Sequence, residues 1–231
     1  MSAIVAAIFD VDGVVVDTPH ERAWREAVAG FADPAGLTPD LYRRVVAGRP
    51  RLDGARAALA ALGVADPDTA APAYAARKQA RFLELVELGA FHVFPDAPRC
   101  LSDLRAAGLK LAAASSSKNA SRMLSLVPWN GGSLLDLFHA DLCGRDVPAG
   151  KPDPALFLLA AAELGALPAA CLVAEDAPAG VEAARRGGMA ALGVARGDDA
   201  AILQAAGADL VVATLDALDR AGLKLGRLRA N

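Results

Sequence analysis

Short apolar runs alternate with longer helical segments along most of the chain. The runs are rich in valine, leucine, isoleucine and alanine, and they cover residues 3–9, 109–114, 171–174, 190–195 and 209–213. Apolar runs of this length are typical of strands buried on both faces of a parallel sheet. Helical segments lie between them at residues 97–107, 154–164 and 178–186, and each ends just before a glycine, which is a common helix stop. The alternation predicts an α/β fold with a doubly wound parallel sheet.

One stretch near the amino terminus breaks this alternation. Four helix-like segments follow one another near residues 20–30, 39–47, 52–62 and 70–88, separated by prolines and glycines. No convincing strand lies between them. The pattern predicts an all-helical cap domain inserted after the first strand. The expected boundaries are 1–18 and 90–231 for the catalytic core and 19–89 for the cap.

Composition narrows the class of protein. The 231 residues are 54% hydrophobic and 22% charged, which is enough to build a sizeable core. A net charge of −3, with both signs interspersed, gives no basic surface for nucleic acid or an anionic membrane. The chain lacks an apolar run of the ~18 residues that a membrane span requires, and it shows no signal-peptide pattern. Its three cysteines are widely spaced, so we expect reduced thiols in a cytoplasmic protein.

The first candidate chemical group follows the first apolar run. Asp10 and Asp12 stand two residues apart and are followed by Gly13, which permits a tight turn. Two carboxylates in one loop can hold a hard cation and can divide the roles of nucleophile and acid–base group. Taken alone, the motif fits an acidic surface loop equally well.

A second acidic pair, Glu175 and Asp176, closes another apolar run. The carboxyl ends of parallel strands share one edge of a sheet, so we expect this pair to meet Asp10 and Asp12 there. Four crowded carboxylates repel one another, and a bound Mg²⁺ would relieve that repulsion. In the alternative interpretation Asp176 caps the following helix and the other acids are exposed.

A polar cluster ends a third apolar run and consists of Ser115, Ser116, Ser117, Lys118 and Asn119. Hydroxyl and main-chain N–H groups at a strand-to-helix turn can hold a phosphate, because helix amino termini favour anions. The same residue types are also ordinary helix caps. Lys151 stands before Pro152 and Pro154, which restrict its backbone to extended geometry, and its ammonium could neutralise an aspartyl nucleophile or a phosphate.

Together these groups resemble the four motifs of the haloacid dehalogenase-like superfamily. They occur in the same order, as Asp10-Val11-Asp12-Gly13, Ser115, Lys151-Pro152 and Glu175-Asp176. The helical insert is similar to the cap of the first subclass. The resemblance implies phosphoryl transfer in which Asp10 attacks phosphorus and Asp12 acts as acid and base, while Ser115 and Lys151 hold the phosphoryl group. The Mg²⁺ ligands that it implies are Asp10, the carbonyl of Asp12, Glu175 and Asp176.

Within the superfamily the β-phosphoglucomutase family is most similar. Residues 9–18, with His20 and Trp24, resemble the opening segment of that family. Arg51 resembles its cap arginine, which grips a distal phosphate, and Lys78 resembles its cap lysine. The resemblance implies a sugar phosphate as substrate, bound also by Ser116, Ser117, Lys118 and Asn119. A buried packing role for Trp24 between cap and core is an open alternative. A phosphatase of a small phosphorylated metabolite is the alternative function, because it would share every catalytic residue.

Two departures from that family bear on the substrate. The segment before His20 is about two residues shorter and places Pro19 in the hinge, and Ala47 stands where the family carries a basic residue. Both lie where cap and core would meet, so they leave the choice between mutase and phosphatase open. A catalytically silent binding protein is disfavoured because every expected acid is present. We expect a monomer, since the cap must move freely, with no nucleic-acid or membrane partner.

Overall fold

The computed structural model of the chain describes residues 3–46, 49 and 51–231. Ala47, which enters the comparison with the mutase family, lies outside the described residues. The strands, in chain order, are β1 (Ala6–Phe9), β2 (Val16–Asp17), β3 (His92–Val93), β4 (Lys110–Ala113), β5 (Pro128–Trp129), β6 (Gly132–Ser133), β7 (Ala140–Asp141), β8 (Cys171–Glu175), β9 (Ala190–Val194) and β10 (Leu210–Val212). The helices are α1 (His20–Ala27), α2 (Pro39–Val45), α3 (Arg51–Ala61), α4 (Pro67–Glu87), α5 (Asp96–Ala106), α6 (Ala120–Leu126), α7 (Ala155–Glu163), α8 (Pro178–Arg186), α9 (Ala200–Ala205) and α10 (Arg220–Leu223).

Six strands form one parallel sheet in the order β10-β9-β8-β1-β4-β7. The five strands predicted from apolar runs are all in it, and the predicted α/β class is confirmed. The additional strand, β7, is a two-residue edge strand within Phe138–Leu142 and is too short to give a pattern. In the centre, Phe9 of β1 is level with Ala113 of β4 and Ala174 of β8. The residues just past these three therefore emerge together at the carboxyl edge.

The apolar strands are buried on both sides. Ala6 and Ile8 face a core cluster that includes Phe157 of α7, whereas Ala7 and Phe9, which point the opposite way, are also buried. Because both faces of the sheet are covered, strands buried in this way have no positions that face solvent and need polar residues. Their sequences are therefore continuously apolar. Among the described residues, no helix is long and apolar enough to cross a bilayer.

The chain divides into two compact units, Met1–Asp17 with His92–Asn231, and Thr18–Phe91. The first contains the parallel sheet. The second is helical and contains α1 to α4 around a core of its own, in which Trp24 packs edge-to-face on Tyr74 and the Tyr74 hydroxyl donates to the Trp24 carbonyl at 2.9 Å. This helical unit lies between β2 and β3 in the chain, and those two short strands pair antiparallel within the sheet unit.

Candidate active site

The carboxyl edge of the sheet brings together the acids of the first and fourth motifs. Asp10 follows β1 directly, and its main-chain N–H donates to the Ala174 carbonyl of β8 at 3.0 Å. Glu175 is the last residue of β8, and Asp176 follows it. Asp10 and Glu175 are almost wholly buried. The parallel register therefore places a buried nucleophile candidate beside a buried acid, as the positions of the apolar runs indicate.

Lys151 is the cation of this edge. Its ammonium donates to Oδ1 of Asp10 at 2.5 Å and also contacts Oε1 of Glu175. The second oxygen of Glu175 accepts from the main-chain N–H of Ala177 at 2.8 Å. Burial by itself lowers the pKa of Lys151, but the attraction of Asp10 and Glu175 outweighs it and the net pKa is raised. Lys151 is thus a permanently charged group that touches the candidate nucleophile.

The acids raise one another's proton affinity. Burial is the largest cause that raises the pKa of Asp10; Lys151 opposes it, and the charges of Glu175 and Asp12 add to it. The pKa of Asp176 is raised well above its ordinary value by burial and then by Glu175, Asp10 and Asp12. Lys151 alone does not compensate this concentration of negative charge. The site can therefore accommodate additional positive charge.

Gly13 allows Asp176 to approach the Asp12 loop. Gly13 has a φ of +82°, and a Cβ built there would lie 1.9 Å from Oδ2 of Asp176. Helix α8 is preceded by Ala177 and has no side-chain cap. The alternative interpretation, in which Asp176 caps this helix, is therefore wrong. Instead, its carboxylate occupies the space that a side chain at residue 13 would require.

Replacement of Gly13 by alanine should displace this carboxylate. We expect kcat to fall by about 10²-fold because a group at the reacting centre moves by an ångström or more. Gly188→Ala is the matched control, since Gly188 also has positive φ (+72°) but no atom within 4 Å of its built Cβ. Both variants should lose about 1 kcal/mol of unfolding free energy or more from backbone strain. Equal activity of the two variants would contradict this role of Gly13.

The polar loop after β4 forms the next part of the edge. Ser115 is buried, and its Oγ accepts from the Ser117 N–H at 3.1 Å, while Ser117 Oγ accepts from the Asn119 N–H at 3.3 Å. These hydroxyls therefore shape their own turn, but helix α6 has no side-chain cap, so the capping alternative is wrong for this cluster. Ser116 is exposed, and the Lys118 ammonium lies 3.6 Å from Asp146.

A cleft of about 230 Å³ opens along this loop beside the lysine of the site. Its lining is mostly polar or glycine and consists of Ser116, Lys118, Gly144, Arg145, Asp146, Val147, Gly150, Lys151 and Leu156. Gly144 permits close approach there, because a Cβ on it would lie 2.6 Å from the Lys118 backbone. The cleft is large enough for a small polar molecule whose phosphate reaches Lys151.

The donors fit Mg²⁺ in chemistry and charge. Asp10, Asp12 and Asp176 offer the oxygen ligands that a hard cation prefers, and burial, followed by the charges of neighbouring acids, raises the pKa of Asp10 and of Asp176. In the part of the chain that the structure describes, no three acidic, histidine or cysteine side chains converge as a preformed metal cage. Both oxygens of Glu175 already accept hydrogen bonds, so Asp176 is the more available of the two adjacent acids.

The predicted cap residues lie in the helical unit. The His20 ring stacks on the Phe82 ring with 4.3 Å between the ring centres. The Nδ1 atom of His20 accepts a hydrogen bond of 3.0 Å from the Lys78 ammonium. Lys78 is 4% exposed, and its ammonium lies 5.2 Å from the Trp24 ring centre. Trp24 is itself part of this unit's own core, whereas the packing of Trp24 between cap and core stays a prediction. Arg51, the first residue of α3, is exposed.

Sequence reasoning missed one buried ionic pair in the sheet unit. Arg196 lies two residues after β9. It donates a hydrogen bond of 2.6 Å to the side chain of Asp96, the first residue of α5. Neither residue belongs to an apolar run or to a recognisable motif, and they are 100 positions apart. No local pattern could have joined them.

Comparison with known proteins gives a consistent result. A family model for haloacid dehalogenase-like hydrolases matches residues 4–188. A Bacillus subtilis (strain 168) protein named beta-phosphoglucomutase is 34% identical over an alignment of 212 residues that covers 90% of this chain and 88% of that protein. A Thermotoga maritima protein named phosphorylated carbohydrates phosphatase is 31% identical over an alignment of 190 residues that covers 80% of this chain and 82% of that protein. The crystal structure of an archaeal beta-phosphoglucomutase from Pyrococcus sp. strain ST 04 has a TM-score of 0.79 and 30% identity, and the match covers 97% of this chain and 100% of that chain.

Proposed function

The chain belongs to the haloacid dehalogenase-like hydrolase family and is a phosphoryl-transfer enzyme, and we propose that it is a Mg²⁺-dependent sugar phosphomutase that works through an aspartyl-phosphate on Asp10. The observation that carries the proposal is the buried Asp10 carboxylate held 2.5 Å from the Lys151 ammonium at the end of the central strand. A nucleophilic carboxylate must be aimed and kept charged, and a fixed ammonium supports both requirements.

The reaction has two transfers. In the first, a carboxylate oxygen of Asp10 attacks phosphorus, the phosphorus–oxygen bond to the sugar breaks, and Asp12 gives its proton to the departing oxygen. In the second, a sugar hydroxyl gives its proton to Asp12 and attacks phosphorus, which frees Asp10. Asp12 lies two residues beyond the nucleophile in the same loop, so one loop supplies both groups.

Charge neutralisation is the main contribution of the protein, because phosphoryl transfer requires alignment and compensation of charge more than difficult bond chemistry. Lys151 would contact the transferring group while Ser115 and the N–H groups of its turn hold the phosphoryl oxygens. Asp10, the Asp12 carbonyl and Asp176 would hold Mg²⁺, with Glu175 orienting Lys151 and completing the acidic group. The metal would supply the further positive charge that these acids lack.

We propose polar and charged side chains as the ligands of the sugar phosphate. Lys118 and Asn119 lie on the loop beside the cleft, and Arg51 offers an exposed guanidinium suited to a distal phosphate. His20 and Lys78 form a partly buried pair in the helical unit, and we propose that this pair serves the same substrate. The relatives named beta-phosphoglucomutase and phosphorylated carbohydrates phosphatase support a phosphorylated carbohydrate as the substrate class.

The second candidate function is a phosphatase, in which water replaces the sugar hydroxyl in the second transfer. The relative named phosphorylated carbohydrates phosphatase favours it. The two activities use the same Asp10, Asp12 and Lys151. They differ only in whether a sugar or water receives the phosphoryl group.

The test incubates the protein with Mg²⁺, β-glucose 1-phosphate and a trace of glucose 1,6-bisphosphate, and follows glucose 6-phosphate and inorganic phosphate together. A mutase forms glucose 6-phosphate with little phosphate. Arg51→Ala should then lower mutase kcat/KM by about 10–10²-fold. Arg56→Ala, which removes another exposed arginine of α3 that pairs with Asp53, is the matched control. Phosphate release without sugar isomerisation would replace the mutase proposal by the phosphatase.

A further inference from the structure

We infer that Arg196 is a positioning residue for the loop of residues 11–16, which joins β1 to β2 and carries Asp12. The consequence for catalysis rests on the proposed function, in which Asp12 is the acid and base. The structural part does not, since it concerns how firmly Arg196 holds this loop.

Arg196 reaches the loop from the end of β9. One terminal nitrogen of its guanidinium donates to the Val14 carbonyl at 2.7 Å, and the other donates to Oδ2 of Asp96 at 2.6 Å. The guanidinium carbon lies 4.0 Å from the centre of the Phe94 ring. A single planar group thus connects three segments that are far apart in sequence.

The loop itself is a tight turn closed by main-chain bonds. The N–H groups of Val15 and Val16 donate to the Val11 carbonyl at 3.0 and 2.9 Å, and the Gly13 N–H donates to the Val16 carbonyl at 2.8 Å. These bonds set the shape of the turn but do not hold it against the rest of the sheet. Two contacts attach the turn from outside: the Phe94 N–H donates to the Val15 carbonyl at 3.1 Å, and Arg196 donates to the Val14 carbonyl, two residues beyond Asp12.

Asp96 fixes Arg196 in turn. Besides Arg196, its Oδ2 accepts from the Thr214 hydroxyl at 2.6 Å and from the Leu215 N–H at 2.7 Å. Both donors lie just after β10, at the same end of the sheet. The loop that carries Asp12 is therefore connected through Arg196 and Asp96 to the end of the last strand.

This pair is poorly built for stability alone. The side chains of Arg196 and Asp96 are only 16% and 6% exposed, yet Nε of Arg196 and Oδ1 of Asp96 are buried without a hydrogen-bond partner among the described residues. Buried ion pairs with unsatisfied atoms stabilise little relative to apolar packing. Arg196 is a planar cation that donates hydrogen bonds in two directions. A lysine or an apolar side chain could not reproduce this geometry.

The experiment compares Arg196→Gln with Arg220→Gln. Arg220 is a partly buried arginine of the same unit that pairs with Asp103 at 2.8 Å and also has a buried, unpartnered Nε, but its described contacts are with Asp103, Leu215 and Asp216. Hydrogen–deuterium exchange of peptides covering residues 9–17 is measured together with kcat, KM and the melting temperature. All rates are taken at a temperature where both variants are folded.

In Arg196→Gln we expect exchange of the loop amides to accelerate by about 10-fold or more. We expect kcat to fall by about 10²-fold with KM within about twofold, because the substrate still binds while Asp12 is displaced. Arg220→Gln should lower the melting temperature but leave loop exchange and kcat near wild type. Arg196→Lys, which keeps a charge beside Asp96, should fold and still show the faster loop exchange.

Unchanged loop exchange in Arg196→Lys and Arg196→Gln would overturn the inference, as would equal losses of kcat in the Arg196 and Arg220 variants. If Arg196→Gln does not fold, the lysine variant alone decides the question. The exchange measurement requires no substrate. A wild-type protein that turns over no phosphate ester would therefore remove the proposed function without affecting the test of the loop.

Discussion

Asp10→Asn should abolish turnover of every phosphate ester that the protein accepts, with a fall in kcat of about 10³-fold or more. The amide is nearly isosteric with the carboxylate and can still accept a hydrogen bond from Lys151, so the fold should be retained. It is not a nucleophile, however, and cannot form the aspartyl-phosphate. Initial rates with a generic aryl phosphate and with the sugar phosphate give the same comparison on two substrates.

The matched control for this variant is Asp198→Asn, which alters an exposed aspartate after β9. It makes the same chemical change at an aspartate that the proposed mechanism does not use and should leave kcat within about twofold of wild type. Wild-type rates in Asp10→Asn would show that another group attacks phosphorus. The proposed mechanism would then be wrong at its first step.

Lys151→Met should have the second largest effect. Loss of a fixed cation at the transferring group should lower kcat by about 10²–10³-fold. The variant also leaves Asp10 and Glu175 buried without the ammonium that both contact, which should destabilise the fold by about 3 kcal/mol near neutral pH. Urea unfolding at several pH values measures this second effect.

The pH dependence of that loss has a definite sign. Burial already raises the pKa of Asp10, and removal of Lys151 removes the main opposing influence. The folded variant therefore binds a proton at Asp10 that the unfolded chain, with its ordinary pKa, releases. Its unfolding free energy should fall as pH rises from about 5 to about 8, more steeply than in the wild type. Lys110→Met, which removes a lysine from the opposite end of β4, should show no added slope; a flat profile in Lys151→Met would contradict the ion-pair account.

The central strands and their shared carboxyl edge could be predicted because the cause of the pattern is local. Strands such as β1 and β8 are buried on both faces, so their apolar runs are continuous and their ends are marked by Asp10 and Glu175. Since parallel strands end at one edge, the approach of these acids follows from their positions in the chain. The two-residue strand β7 could not be predicted in the same way, because it is too short to show a pattern.

Other features depend on contacts between distant segments. Glu175 could be identified as an acid of the site, but not as the residue whose oxygens accept from Lys151 and the Ala177 N–H. Lys78 could be identified from its resemblance to a cap lysine, but its burial between aromatic rings depends on how helices pack. The pair of Arg196 and Asp96 depends on tertiary packing in the same way. Side-chain pairing of this kind has no period in the sequence, and only the assembled fold shows it.

The most direct test of the central claim is detection of the phosphoryl group on Asp10. The protein is mixed with Mg²⁺ and excess sugar phosphate, quenched in acid within one turnover, and digested for peptide mass mapping. We expect a phosphoryl group on Asp10 in the wild type, appearing and disappearing at rates compatible with turnover, and none in Asp10→Asn. Full-rate product formation with no phosphoryl group on Asp10, or with one on another residue, would contradict the account.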